Sequence, residues 1–310
     1  MITTVTMNAA IDKTYYLPAF PHGKVSRVRQ YLAAPGGKGI NVAKVAAQLG
    51  AEVTASGIVG GMNGEIIKKQ LDGMNIAHQF VAVEGESRLC LNIIDEETGS
   101  STELLEPGPV VDNRALDEME QTMAALARTS KVVCISGSLP AGAPADYYIR
   151  LVGAAKKEGA YVILDASGDA LRFGLQANPD MIKPNEEEVA ALLGTGIRDE
   201  QELLRAMEDL LREYRMERVC VSLGGAGSLT VTSQGRYRAV TPPIQVVNTV
   251  GCGDSFVAGM AVSLLKQLPA EEGIAMAAAA GTANALSAMA GSVDPDTFRR
   301  LLGQVEISRI

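Results

Sequence analysis

The chain has 310 residues, 47% of them hydrophobic, so it is long enough to bury a substantial core in one large α/β domain. Its 28 basic and 36 acidic side chains give a net charge of −8, and no basic block offsets the acidic excess, which argues against a nucleic-acid partner. The four cysteines are spaced too widely for a zinc site or a disulfide framework, which indicates a reducing cytoplasm.

No leader or membrane-spanning segment is expected. The chain opens directly with a strand-like run at residues 2–7, without the pattern of a signal peptide. Residues 273–293 lack charge and are about long enough to cross a bilayer, but they are mostly alanine and glycine and contain Thr282 and Asn284. This composition predicts a buried helix rather than a membrane span.

Strand-like and helix-like runs alternate along the chain, which predicts a parallel sheet covered on both faces. The predicted strands are 2–7, 53–59, 132–136, 161–165, 181–183 and 219–222. The predicted helices are 44–50, 64–74, 144–159, 200–214 and one that begins at residue 256. Two segments, 13–34 and 79–105, break the alternation with alternating apolar and polar residues and turn signals. They predict a small β-sheet inserted beside a single domain that spans 1–310.

The run from Thr249 to Ser255 contains a candidate catalytic carboxylate. Two glycines, Gly251 and Gly253, flank Cys252, and the following helix begins with N–H groups that lack intrahelical partners. Such a turn can hold an anion, and Asp254 beside it can take a proton from a hydroxyl while the pocket stabilises a transferring phosphoryl group. The alternative is that Asp254 only caps the helix.

A second glycine cluster, far upstream, runs into the predicted helix at 44–50. Gly36 and Gly37 precede Lys38, and Asn41 follows three residues later. These glycines indicate backbone that lies close to a ligand, and the Asn41 amide offers both a donor and an acceptor.

Together, the two glycine segments resemble the signature sequences of the ribokinase-like sugar kinases, the phosphofructokinase-B family. The resemblance covers nearly the whole chain. It implies a Rossmann-type three-layer α/β/α domain with a small β-sheet lid over the sugar, a lid often shared with a second subunit, and therefore a homodimer. It also implies that ATP and Mg²⁺ are used, that the N-terminal glycine pair contacts the sugar, and that the C-terminal segment supplies the anion hole and the base.

Asp12 follows the first strand, where α/β folds place their ligands. A carboxylate there can accept hydrogen bonds from two sugar hydroxyls, and the alternative is a loop residue that faces water. The family pattern, an Asp after an N-terminal strand and an Asn (here Asn8), favours sugar binding.

Cationic side chains in the lid segments predict a phosphorylated sugar, because guanidinium groups bind phosphate in a bidentate manner. The alternative is that these are ordinary solvated surface residues, as we expect for Arg29. Kinases of the family that act on sugar phosphates match this chain at several such positions, and the Ser138 hydroxyl also matches the phosphohexose kinases. The predicted phosphate-binding residues are Lys24, Arg27, Lys38, Arg88 and Ser138.

The nucleotide side is predicted from three segments. Asn185 and Glu188 resemble the NxxE element with which the family holds Mg²⁺, largely through water, although composition alone indicates only an acidic helix start. A glycine-rich turn follows the strand at 219–222, and it has neither the lysine nor the spacing of a Walker A loop. The residues that the resemblance assigns to ATP are Lys183, Asn185, Ser222, Gly224, Gly225, Gly227, Thr249 and Asn284.

The resemblance leaves the exact substrate open. Residues 102–109 and 136–140 resemble both 1-phosphofructokinases and tagatose-6-phosphate kinases, whereas 38–45 and 248–251 look closer to the fructose-1-phosphate branch. The expected reaction is therefore the conversion of fructose 1-phosphate to fructose 1,6-bisphosphate. The alternatives are tagatose 6-phosphate, then fructose 6-phosphate, and, in a different class, a non-catalytic sugar-phosphate sensor. A nucleoside or ribose kinase would leave Lys24, Arg27 and Arg88 without a partner.

Cys252 stands where close relatives carry a small residue such as alanine. A thiol at a helix N-terminus can have a lowered pKa and oxidise readily. The alternative is that Cys252 is a buried small hydrophobic residue.

Overall fold

The computed structural model describes residues 1–310, which form two β-sheets and ten α-helices. The strands are β1 (Ile2–Thr6), β2 (Ala10–Leu17), β3 (Gln30–Gly36), β4 (Val53–Gly60), β5 (Ala77–Val83), β6 (Arg88–Asp95), β7 (Ser101–Leu105), β8 (Val132–Ser136), β9 (Tyr161–Asp165), β10 (Met181–Ile182), β11 (Arg218–Ser222), β12 (Ser228–Thr232), β13 (Gly235–Val240) and β14 (Glu306–Arg309). The helices are α1 (Lys38–Gln48), α2 (Gly61–Gly73), α3 (Asn113–Ala127), α4 (Tyr147–Lys157), α5 (Gly168–Gly174), α6 (Glu186–Leu193), α7 (Glu200–Glu213), α8 (Cys252–Leu265), α9 (Ala270–Ala285) and α10 (Pro295–Leu302).

The main sheet has ten strands in the order β14-β13-β12-β11-β10-β9-β8-β1-β4-β5. The seven strands from β11 to β5 pair in parallel, which confirms the predicted α/β class. The last three strands, β12, β13 and β14, add antiparallel pairs that the sequence interpretation missed. β12 and β13 form local hairpins with their neighbours, whereas β14 joins the end of the chain to residues about 70 positions earlier, which no local pattern reveals.

The main sheet is covered on both faces because its buried strands alternate their side chains between two cores. On β8, Val132 and Cys134 pack into the core formed with α1, α8 and α9, whereas Val133 and Ile135 pack into the core formed with α3, α4 and α7. This gives the three layers that the resemblance implied.

The second sheet has four strands in the order β3-β2-β6-β7, and it forms the predicted lid. The predicted boundary at residue 79 is wrong, because β5 pairs with β4 at the edge of the main sheet. An edge strand alternates exposed and covered residues much as a lid strand does. Asp12 is also displaced from its predicted position, since it lies within β2 of the lid rather than at the end of the first main-sheet strand.

The helices begin earlier than predicted at both glycine segments. α1 starts at Lys38 and α8 starts at Cys252. The prediction missed the first turn of each helix because that turn is polar or glycine-rich and lacks the apolar periodicity that marks the later turns. α9 ends at Ala285, short of the predicted residue 293. No helix in the chain is both long enough and apolar enough to cross a membrane.

The order of the strands places a crevice beside β1. The chain leaves β1 towards β4 and β5, then returns to β8 on the opposite side of β1. At such a reversal the connections diverge from the carboxyl ends of the two strands, and α/β folds bind their ligands there.

Two glycines in the middle of helices should respond oppositely to alanine. A Cβ at Gly259 of α8 would lie 2.7 Å from Cα of Ala277 in α9, whereas a Cβ at Gly153 of α4 would meet nothing within 4 Å. We predict that Gly259→Ala lowers the free energy of unfolding by about 1–3 kcal/mol through overpacking. Gly153→Ala should raise it by about 0.5–1 kcal/mol through helix propensity. Denaturant titrations of both variants check this, and equal effects would contradict the tight α8–α9 packing.

Candidate active site

A cavity of about 290 Å³ lies between the lid and the carboxyl ends of the main-sheet strands. Strands β2, β3, β6 and β7 line it from the lid, and the starts of α1 and α8 line it from the main domain. The predicted site residues that line it are Asp12, Gly37, Lys38, Asn41, Arg88, Gly251 and Asp254. The structure thus brings the two glycine segments together, although more than 200 residues separate them in the chain.

Asp254 lies in the first turn of α8, where it lines the cavity and is only 6% exposed. Its Oδ2 accepts a hydrogen bond from Nδ2 of Asn41 at 2.9 Å. Burial raises the pKa of Asp254 to about 6, and the nearby Asp165 carboxylate contributes to this rise, against the opposing effects of Lys38, Asn41 and Lys183. A carboxylate with this pKa is suited to accept a proton near neutral pH. Asp254 does not act as a helix cap, because Gly251 holds the N-cap position.

Asp165 is a candidate site residue that the sequence interpretation missed. It ends β9, is 1% exposed, and neither of its oxygens has a hydrogen-bond partner. Its Oδ1 lies 3.5 Å from Nζ of Lys38 and 3.6 Å from Nζ of Lys183. The available signal was a charged residue at the carboxyl end of an otherwise apolar parallel strand.

The turn before α8 leaves N–H donors without internal acceptors. The N–H groups of Gly251 and Gly253 donate to no group within the chain, whereas the N–H of Cys252 donates to the carbonyl of Thr249 at 3.3 Å. The predicted trio of anion-hole donors is therefore reduced to Gly251 and Gly253 in this structure. The positive end of the α8 dipole points at the same place.

Asp12 and Gly36 are in direct contact across the β2–β3 pair. A Cβ at Gly36 would lie 2.1 Å from Cγ of Asp12, so only glycine lets the carboxylate occupy this position. Burial raises the pKa of Asp12, and Lys44 and Arg88 oppose that effect. Asp12 thus links a lid strand to the glycine pair at the floor of the cavity.

The cationic residues divide into two groups. Arg88 and Lys38 line the cavity, and Asp165 raises the pKa of Lys38. Nε of Arg88 donates to the carbonyl of Asn8 at 3.2 Å, and this hydrogen bond helps to fix the position of the guanidinium group. Lys24 and Arg27 instead lie exposed in the β2–β3 connection and do not line this cavity.

Ser138 is exposed in the loop after β8 and is also outside the cavity lining. Its neighbour Gly137 lies next to Lys38, since a Cβ there would be 3.6 Å from Cβ of Lys38. The Ser138 hydroxyl therefore lies beside the site rather than within it.

The nucleotide-side prediction centres on Lys183 and the start of α6. Lys183 is buried, and its Nζ approaches Gly253 closely enough that a Cβ there would lie 3.1 Å away. Asn185 and Glu188 form a capping box: the Asn185 side chain accepts from the Glu188 N–H at 2.8 Å, and Oε2 of Glu188 accepts from the Asn185 N–H at 2.8 Å.

Oε1 of Glu188 takes no part in the capping box, and Glu188 is close enough to raise the pKa of Lys38. The chain has no cluster of three His, Cys, Asp or Glu side chains arranged to hold a metal ion. Mg²⁺ in nucleotide sites usually takes one or two protein oxygens and completes its shell with phosphates and water. The side chains of Asn185 and Glu188 fit that limited requirement.

The glycine-rich turn after β11 holds residues with different roles. Ser222 pairs with Asn185 in an isolated bridge, and Gly224 and Gly225 are exposed with open space around them. Packing alone requires glycine at position 227, because a Cβ there would lie 2.0 Å from the carbonyl oxygen of Ala239 in β13. Gly224 and Gly225 are therefore the more exposed of the three glycines, and Gly227 is half-buried.

Asn284, which the resemblance assigns to ATP, lies in the interior, and its side chain is hydrogen-bonded within the chain. Asn284 is fully buried, its Nδ2 donates to the carbonyl of Val250 at 2.8 Å, and its Oδ1 accepts from the N–H of Gly291 at 2.8 Å. The side chain thus joins the turn before α8 to the turn at residues 286–292. Thr249 is exposed in that turn, as its predicted role requires.

The redox hypothesis for Cys252 is not supported by its surroundings. Burial raises the pKa of the thiol, outweighing the hydrogen bond from Asn284, which lowers it. A thiol with a raised pKa is a poor nucleophile at neutral pH, so the side chain fits the small hydrophobic role.

Comparison with known proteins identifies relatives over the full length of the chain. A family model described as "pfkB family carbohydrate kinase" matches residues 5–297. The tagatose-6-phosphate kinase of Staphylococcus epidermidis is 37% identical over 312 residues, covering 100% of both chains.

Solved structures agree with this comparison. Phosphofructokinase-2 of Escherichia coli superposes with a TM-score of 0.92 at 30% identity, over 97% of this chain and 98% of that one. A possible 1-phosphofructokinase of Thermotoga maritima superposes with a TM-score of 0.87 at 26% identity, over 100% and 99% of the two chains. The Escherichia coli enzyme is also known in complex with fructose-6-phosphate and in a tetrameric inhibited form.

The buried carboxylate of Asp254 should cost stability at high pH. Its pKa of about 6 in the folded chain exceeds the ordinary 3.8, so the folded state binds more protons and loses stability as pH rises through 6. We predict that Asp254→Asn, which keeps an acceptor for Asn41, raises the free energy of unfolding by roughly 2–3 kcal/mol at pH 8 and by about half as much at pH 5.

Urea titrations at the two pH values check this prediction. The control is Asp209→Asn, an exposed site on α7 where the effect should stay below about 0.5 kcal/mol at either pH. A gain at Asp254→Asn that is absent or independent of pH would contradict the burial of an ionising carboxyl group.

Proposed function

We propose a specific reaction for this chain, which belongs to the pfkB family of carbohydrate kinases: transfer of the γ-phosphoryl group of ATP to the free primary hydroxyl of a ketohexose monophosphate. As a carbohydrate kinase, the chain is a phosphotransferase with an alcohol acceptor. The observation that carries the proposal is that Asp254 and Gly251, whose N–H has no acceptor within the chain, together line a lidded cavity, with the free N–H of Gly253 between them in sequence.

Asp254 is the proposed general base. In the proposed mechanism it accepts the proton of the sugar hydroxyl as the oxygen attacks the γ-phosphorus in line and the bond from phosphorus to the β-phosphate oxygen breaks. Asn41 holds the carboxylate through one oxygen, which leaves the other for the substrate. Positioning and electrostatics supply most of the catalysis of phosphoryl transfer, so a fixed carboxylate can suffice.

Preorganised donors stabilise the transferring group in this proposal. The N–H groups of Gly251 and Gly253 have no acceptor within the chain and would donate to the transferring phosphoryl group, and Lys183 lies beside Gly253. Asn185 and Glu188 would hold Mg²⁺, which offsets charge on the phosphate oxygens when it is bound. If Lys183 left Asp165, its ammonium group could pair with a phosphate group of the nucleotide instead.

The sugar side supports a phosphorylated ketohexose. Asp12 can accept from sugar hydroxyls, and Arg88 and Lys38 supply cationic donors in the same cavity. A cavity of about 290 Å³ suits a hexose phosphate.

We rank tagatose 6-phosphate first among the substrates, because the relative named for it is 37% identical over both full chains, against 26% for the possible 1-phosphofructokinase. Fructose 1-phosphate, the substrate expected from sequence, is the second candidate, and residues 38–45 and 248–251 favour it. Fructose 6-phosphate is third. A non-catalytic sensor is disfavoured because burying the Asp254 carboxyl costs stability that binding alone would not require.

We further propose a homodimer formed through the lid. The lid leaves its outer strands, β3 and β7, each with one unpaired edge. Large apolar side chains are exposed on or beside these strands, among them Val25, Tyr31 and Leu105. In such a dimer, the exposed Lys24 and Arg27 would be available to the partner's cavity. The four unpaired cysteines support a cytoplasmic location.

Steady-state ADP release with Mg-ATP tests the reaction and its substrate together. We predict turnover with tagatose 6-phosphate, fructose 1-phosphate or fructose 6-phosphate, with a kcat/KM at least tenfold above that for ribose, because only the phosphorylated sugars use Arg88 and Lys38. The phosphohexose with the highest kcat/KM identifies the substrate among the three candidates. Binding of a phosphohexose without any turnover would instead support the sensor.

A further inference from the structure

Lys44 is a buried charged residue that the proposed reaction does not use directly. It lies on α1, is 4% exposed, and faces the cavity. Its Nζ donates to the carbonyl of Pro35 at 3.0 Å and to the carbonyl of Ala290 at 2.8 Å. Two of its three N–H donors are therefore used by backbone groups that come from distant parts of the chain.

The two carbonyls belong to the two halves of the candidate active site. Pro35 immediately precedes Gly36, whose backbone lies against the Asp12 carboxylate. Ala290 packs on the anion-hole turn, since a Cβ at Gly251 would lie 3.0 Å from Cβ of Ala290. The ammonium thus joins the sugar-contact backbone to the backbone that supports the phosphoryl-transfer donors.

The surroundings of Lys44 are tightly packed. A Cβ at Gly291 would lie 2.6 Å from Cε of Lys44 and 2.8 Å from Oδ1 of Asn41. The lysine stem therefore has little room to move, and a fixed stem gives the ammonium a fixed position. Asn41 also holds Asp254, so Lys44 and the proposed base share a neighbour.

Lys44 also lies between two carboxylates of the site, Asp12 on β2 and Asp254 on α8. Burial lowers the pKa of Lys44 to about 8, and these two carboxylates oppose that effect. The 286–292 turn carries no titratable side chain. The remaining titratable groups that line the cavity are Lys38 on α1, Arg88 and Cys90 on β6, Glu103 on β7, and Lys13 on β2.

We propose that Lys44 is a positioning residue for phosphoryl transfer: its ammonium holds the Pro35 and Ala290 carbonyls at a fixed separation and places a positive charge near the Asp12 and Asp254 carboxylates. The inference rests on the proposed function. When Lys44 loses its proton, the charge between the two carboxylates disappears and the carbonyl contacts weaken. The rate should therefore fall at alkaline pH, although Asp254 is then fully ionised.

Three variants of the full-length chain test this role: Lys44→Met, Lys44→Arg, and the control Lys131→Met at an exposed site just before β8. The measurement is kcat/KM for the best phosphohexose from pH 6 to 10. Wild type should lose activity above about pH 8. Lys44→Met should lose about 10–100-fold at pH 7, because displacing reactive groups by about 1 Å costs up to 10²-fold, and it should show no alkaline decline.

Lys44→Arg separates the effect of the charge from that of the side-chain shape, because a guanidinium group stays protonated from pH 6 to 10. Its alkaline decline should move upward by at least one pH unit, whatever its activity at pH 7. A purely structural role would lower activity in both variants without moving the decline. Lys131→Met should match wild type at every pH.

Several results would overturn the proposal. One is a folded Lys44→Met variant whose alkaline decline and rate match those of wild type. Another is a wild-type kcat/KM that stays flat from pH 7 to 9.5, which is decisive even if the Lys44 variants do not fold. Failure of the proposed function is distinguishable, because it appears as absence of turnover in the wild-type chain with every phosphohexose.

Discussion

The candidate active site depends on the burial of two carboxylates at the carboxyl ends of a parallel sheet. Asp165 and Asp254 repel each other strongly enough to contribute to the raised pKa of Asp254. Their burial is tolerable because Lys38 and Lys183 flank Asp165 and Asn41 donates to Asp254. The pKa of the proposed base, about 6, lies just below neutral pH, so the carboxylate is mostly ionised and still basic enough to accept a proton.

Topology explains why these groups meet. The strand order reverses beside β1, so α1 begins on one side of the crevice and Asp165 ends β9 on the other side. α8 places its N-terminus over the same crevice, and the N–H groups of Gly251 and Gly253 there have no acceptor within the chain. The lid sheet closes the cavity with Asp12 and Arg88, so the sugar side and the phosphoryl side are built from different layers.

Local signals sufficed for the class of fold and for selecting two glycine segments and Asp254 that the fold brings to one cavity, because glycine clusters and apolar periodicity are visible in consecutive residues. Asp165 and Lys44 were missed because their importance lies in partners far away in the chain. Asn284 was assigned to the nucleotide, yet its amide faces inward, since side-chain direction depends on the packing of α9. The edge strand β14 was missed for the same reason, since it pairs with β13 about 70 residues earlier in the chain.

The most direct test of the central claim is the turnover of Asp254→Asn with saturating Mg-ATP and the best phosphohexose. The substitution removes the base but keeps an acceptor for Asn41, so the fold and the KM values should change little. If Asp254 is the base, the turnover rate should fall by about two to four orders of magnitude, the usual contribution of a general base. Retention of more than about a tenth of the wild-type rate would contradict that role for Asp254.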